Sequence, residues 1–149
     1  MDIPLEVVVV SSNLEIRQDV AEMVFRLGID PICVSSVSQC REIPRREDIG
    51  LVFCDRKMKD GNYRDVLWAF ASTVLDRSPK VVMISDLDSP GEYEQARRDG
   101  LFDVISSPSK PTDIEWMVIL AKRANSQVKD LLETSHNLPQ LRRTARVGA

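Results

Sequence analysis

Five short apolar runs punctuate the chain, and between them apolar residues return at helical intervals. Val7-Val8-Val9-Val10 are four β-branched residues in succession, halted by Ser11-Ser12-Asn13, whose side chains suit loops and helix caps. From Leu14, the positions Ile16, Val20, Met23, Val24 and Leu27 predict a helix with Asn13 as N-cap and Gly28 as its stop. Pro31 to Val37 reads as a second strand, and Ser38 to Glu42 as a short helix that Pro44 limits. Leu51-Val52-Phe53-Cys54 shows no polar alternation, so it predicts a strand buried on both faces, and it runs straight into Asp55. Asp60-Gly61-Asn62 predicts a turn, followed by a helix whose inner face is Val66, Leu67, Phe70, Ala71 and Val74. Lys80 to Ser85 is a fourth strand, Gly91 to Gly100 a weakly amphipathic helix with Tyr93 and Ala96 inward, and Phe102 to Ile105 a fifth strand. Thr112-Asp113-Ile114-Glu115 has the form of a capping box and predicts the start of the last helix.

Strands alternating with helices require right-handed crossovers and a parallel sheet covered on both faces. The expected fold is therefore α/β, a doubly wound five-stranded parallel sheet. In such sheets ligands gather where strand tips and the following loops form a crevice, which brings Asp55 forward as a candidate, against the plainer reading that it caps the next turn. The 149 residues suffice for one domain with its own core, and 43% hydrophobic with 29% charged residues is a globular composition. A net charge of -3 argues against nucleic acid or an anionic membrane as partner of the whole domain. No basic segment leads into an apolar core and cleavage site, and no apolar run approaches membrane-spanning length, so a cytoplasmic location is expected. Cys33, Cys40 and Cys54 lack a C-x-x-C spacing and are expected to be buried, reduced thiols. Neither G-x-G-x-x-G nor a P-loop occurs, and the single histidine, His136, lies in a polar tail, which argues against dinucleotide binding, Ser/His/Asp catalysis and a histidine metal site. No resident cofactor is expected.

Placed in order, these pieces resemble the receiver domain of bacterial response regulators over roughly Leu5 to Arg123, a (βα)5, flavodoxin-like fold. The most specific match is Asp55-Arg-Lys-Met58-Lys-Asp60-Gly61-Asn-Tyr-Arg-Asp-Val66-Leu67, similar to the family's phosphoacceptor aspartate, its hydrophobic residue three further on, and the Asp-Gly turn. Ser85 matches the switch hydroxyl, and Gly100-Leu-Phe-Asp103 with Ser107-Pro108 is similar to the fifth strand and its loop proline. The resemblance implies a phosphoacceptor at Asp55 and two acidic residues after the first strand to hold Mg²⁺. Here those positions read Ser11 and Ser12, and hydroxyls are poor substitutes for the hard anionic oxygens Mg²⁺ prefers. The family's loop lysine is replaced by Ser107, its aromatic switch position by Val104, and Lys59 stands where a proline is usual. Lys57 and Asp86 are charged residues at the rim, Lys57 either a solvated loop charge or a replacement for the missing cation beside Asp55.

Ile114, Val118, Ala121, Asn125, Val128 and Leu132 follow heptad spacing, so the last helix is expected to outrun the domain, with Asn125, Val128 and Leu132 as a seam for a second copy. The expected organisation is a receiver-like domain over residues 1–124, a helical extension over 125–134, and a flexible basic tail over 135–149. The leading functional expectation is a signalling module working through protein contacts, with a degenerate phosphoacceptor site and a homodimeric state, and not an enzyme. Its partner would be a histidine kinase or a downstream signalling protein. The alternative is a conventional receiver, phosphorylated on Asp55 by a histidine kinase with weak Mg²⁺ at that residue. A third reading, a flavodoxin-like small-molecule binder, lacks a phosphate-cradling glycine loop.

Overall fold

In the computed structural model of the protein, residues 4–71, 78–86 and 90–137 are described, their side chains as far as Ser126. Strand β1 (Glu6–Val10) leads into helix α1 (Leu14–Phe25), β2 (Ile32–Val34) into α2 (Val37–Glu42), and β3 (Ile49–Asp55) into a small ribbon of β4 (Lys57–Met58) and β5 (Gly61–Asn62). Helix α3 (Tyr63–Phe70), β6 (Lys80–Ile84), α4 (Pro90–Asp99), β7 (Asp103–Ile105) and α5 (Pro111–Asn137) complete the chain. The main sheet is parallel throughout, in the order β2-β1-β3-β6-β7. The fold is the expected doubly wound α/β arrangement.

Alternation along the central strands divides the core in two. Val8, Val10, Val52 and Cys54 pack under α2, α3 and α4. Val7, Val9, Leu51 and Phe53 pack under α1 and α5, against Val20, Val24, Ile114 and Val118. Each such side chain removed from water contributes about 1.5 to 3 kcal/mol, and two loaded faces are why these strands carry no polar alternation.

Several local expectations needed correction. Cys40 and Cys54 are buried free thiols, but Cys33 is exposed, because β2 is an edge strand covered on fewer sides than β1 or β3. Tyr93 is 40% exposed, and its hydroxyl donates to Asp103 Oδ1 at 3.1 Å, whereas Ala96 is buried as expected. Helix α3 stops at Phe70, leaving Ala71 exposed as its C-cap, and Val74 lies outside the described residues. Helix α5 does not start from a Thr112 cap. It starts at Pro111, whose fixed φ and missing N–H suit the first helical position, and the Asp113 and Ile114 amides donate to the Lys110 carbonyl. It continues to Asn137, beyond the expected end of the extension at residue 134, and residues 138–149 lie outside the described residues.

Candidate functional site

The strand order reverses between β1 and β3, and at that switch point the loops after the two strands part and leave a crevice. Val10 pairs with Cys54, so one step further along both strands places Ser11 beside Asp55. The two continue the parity of Val7, Val9, Leu51 and Phe53 and share one face of the sheet. Ser11, 1% exposed, donates its hydroxyl to Asp55 Oδ2, while Asp55 is half-buried.

The hydroxyl of Ser11 is fully engaged. It accepts from the Asn13 amide at 3.0 Å and lies 3.1 Å from the Asn13 carbonyl oxygen. One hydroxyl proton cannot serve two acceptors, and an ionised carboxylate attracts it more strongly than a carbonyl. Arg17 of α1 holds the loop by donating to the Ser11 carbonyl at 2.7 Å. Ser12 turns the other way, donating to the Ser35 carbonyl at 2.9 Å and accepting from the Lys59 amide at 3.1 Å. Both hydroxyls are thus already spent on the protein.

Burial pushes the Asp55 carboxyl above the usual carboxylate range, and the Ser11 hydrogen bond alone opposes it. Lys57 is exposed, and no ion pair or hydrogen bond joins it to Asp55 among the described residues. Of the two readings of Lys57, the exposed position goes with the solvated loop charge. Ser85 follows Ile84, the cross-strand neighbour of Asp55, and its amide donates to the Ile105 carbonyl at 3.0 Å. Asp86 is exposed, and its Oδ1 meets the Ser107 amide only at a long 3.4 Å. The structure thus brings Ser11 to Asp55 and Asp86 to Ser107, as two separate pairs across adjoining strand tips.

A divalent cation fits this donor set poorly. Mg²⁺ holds near-octahedral geometry through anionic oxygens and water, whereas Asp55 is a lone carboxylate raised towards its neutral form and hydrogen-bonded to a neutral neighbour. Among the described residues no three His, Cys, Asp or Glu side chains cluster to hold a metal.

The predicted turn at Asp60-Gly61-Asn62 makes contacts beyond itself. Asp60 accepts from the Val37 and Ser38 amides at 2.9 Å each, so its carboxylate closes the N-terminus of α2 from the turn that precedes α3. Those backbone hydrogen bonds, Ser38's first, hold its carboxyl below the usual range. Asn62 and Asp65 form a reciprocal capping box on α3, and a Cβ on Gly61 would come within 2.5 Å of the Asp65 carboxylate, so a side chain there would push Asp65 out of the box. The N-x-x-D spacing was legible; the reach of Asp60 to α2 spans 23 residues and had no local signal. A cavity of about 400 Å³ beside Leu67, Trp68, Phe70 and Pro79 lies at the amino-terminal edge of the sheet and shares no residue with the Asp55 crevice.

Similar solved structures share this architecture. A response regulator receiver domain protein from Clostridium thermocellum superposes with a TM-score of 0.73 over 84% of this chain and 99% of its own, at 16% identity. The fold is that of response regulator receiver domains. The receiver domain of a Francisella response regulator gives a TM-score of 0.69 at 19% identity, over 80% of this chain and 98% of that one. A chemotaxis response regulator of Vibrio cholerae gives 0.68 at 14% identity, over 80% and 99%. No family model and no curated protein matches the sequence. Within this receiver fold Asp55 occupies the tip of the central strand. No helix among the described residues is long and apolar enough to cross a membrane.

Proposed function

We propose that the chain is a pseudo-receiver: a cytoplasmic signalling module that retains the phosphoacceptor position at Asp55 but works through protein contacts in its unphosphorylated form. The observation that carries this reading is the hydroxyl of Ser11, which stands where a metal-holding carboxylate is expected and is bonded to Asp55 itself. Phosphoryl transfer depends on positioning and on electrostatic stabilisation of the moving oxygens by metal and cation. Removing one preorganised donor from such a site costs about 3 to 4 kcal/mol of barrier, and this crevice lacks both the metal carboxylates and the lysine. With that machinery gone the domain has no reaction of its own to perform. Its partners are a histidine kinase or a downstream signalling protein, met through the surface around the strand tips.

A magnesium titration followed by the fluorescence of Trp68 and Trp116 and by amide shifts of Ser11, Ser12 and Asp55 tests the reading. The pseudo-receiver shows no saturable shift below the millimolar range. Saturation at lower concentration returns the protein to the conventional phosphorelay class.

A further inference from the structure

The turn that follows Asp55 is tied to parts of the chain it does not adjoin in sequence. Ser12 Oγ donates to the Ser35 carbonyl at 2.9 Å and accepts from the Lys59 amide at 3.1 Å, so one hydroxyl joins the loops after β1, β2 and β3. Asp60 bridges the turn to α2 with both carboxylate oxygens, Oδ1 accepting from the Val37 amide and Oδ2 from the Ser38 amide. Beneath these bonds Met58 and Val37, 3% and 1% exposed, share a core cluster with Cys40. A Cβ built on Gly61 would stand 3.1 Å from Val37 Cγ2, so the turn abuts the helix closely.

Both pieces are small. Helix α2 has six residues, too few to be stable on backbone hydrogen bonds alone. Its first three amides all end on side chains, Val37 and Ser38 on Asp60 and Gln39 on the Ser36 hydroxyl at 3.1 Å. Two of those three partners come from the turn. The turn itself is a ribbon of two-residue strands, and a two-stranded ribbon is marginal by itself. Ser12 fastens the turn and the approach to α2 to the loop whose Ser11 is bonded to Asp55.

We propose that α2 and the turn of residues 58–62 form one conformational unit, clamped by Ser12 and Asp60, which opens and closes as a whole while the central strands stay folded. A change at Asp55 that moves the loop after β1 then reaches α2 through Ser12. The inference stands on hydrogen bonds and packing, and not on whether Asp55 accepts a phosphoryl group.

Native-state hydrogen exchange of the full chain tests the unit in both directions. Ser12→Ala, a change outside both α2 and the turn, should speed exchange of the Cys40 amide several-fold, an amide that in the wild type donates to the Ser36 carbonyl at 3.2 Å. Val52 and Phe53 in β3 should keep their wild-type rates in that variant. Ser36→Ala removes the hydroxyl that caps α2, and because coupling is reciprocal it should speed exchange of the Lys59 amide in the turn several-fold. A Cys40 rate unchanged by Ser12→Ala, or a Lys59 rate unchanged by Ser36→Ala, overturns the proposal. Faster exchange of β3 in step with α2 also overturns it, because the opening would then be that of the whole sheet.

Discussion

Ser11 and Asp55 are joined by a hydrogen bond across the tips of two adjacent parallel strands, with the serine as donor. The register that pairs Val10 with Cys54 makes the two side chains neighbours, so the bond follows from how the sheet is assembled. Ser11→Ala should destabilise the fold by about 1 kcal/mol, below the usual range for a bond to a charged group because Asp55 is partly exposed and solvent screens it. It should also raise the Asp55 carboxyl further, which a carboxyl-carbon NMR titration of both proteins reads directly.

Asp55→Asn should be more stable than wild type at neutral pH. Because burial raises the folded carboxyl above its unfolded value, the folded chain holds more protons in the window between the two. Stability is therefore greatest below the unfolded value, falls as pH rises through the window, and stays lower above the folded value. The neutral amide escapes that loss and can still accept from Ser11. Thermal melts should show a modest gain at neutral pH that shrinks on acidification; a variant less stable than wild type at neutral pH contradicts the account.

Asp60 behaves in the opposite sense. Its folded carboxyl is held low by the α2 amides, so the stability it contributes is present above the unfolded value and lost as pH falls through the folded one. Asp60→Ala should lower stability and speed hydrogen exchange of the Val37 and Ser38 amides, leaving the β3 amides protected. Uniform exchange changes throughout the sheet would show that Asp60 does more than cap α2.

Helices α3 and α4 are tied by Asp99, which accepts from the Tyr63 hydroxyl at 2.6 Å, Arg64 Nε at 2.9 Å and Gln95 Nε2 at 2.9 Å. Tyr63→Phe keeps the packed ring and removes one donor, so it should cost about 1 kcal/mol in chemical denaturation. No change would mean that Arg64 alone suffices for the tie.

The strands were legible because burial on both faces leaves a continuous apolar run, as in Val7 to Val10 and Leu51 to Cys54, which few other environments produce. Helix ends were read less well. The helix begins one residue before the capping pattern at Thr112, at Pro111, whose fixed φ and missing N–H suit the first helical position. Tyr93 was placed inward because an aromatic ring prefers burial, yet its hydroxyl finds Asp103 at the surface. In the crevice, Asp55 and Ser11 could each be picked out as residues of interest. That the second would donate to the first depended on strand order and register, which no local pattern encodes. The reach of Asp60 to α2 and of Tyr63 and Arg64 to Asp99 left no local trace for the same reason, since these partners lie in different elements.

The central claim is that this crevice has lost phosphoryl transfer. Incubating the chain with a small-molecule phosphodonor and Mg²⁺, then measuring intact mass, tests it most directly, with a Ser11→Asp, Ser12→Asp, Ser107→Lys variant beside it. The account predicts no phosphoryl mass increment on the wild-type chain and an increment on the variant that Asp55→Asn abolishes. A stable increment on the wild-type chain, lost in Asp55→Asn, would contradict it.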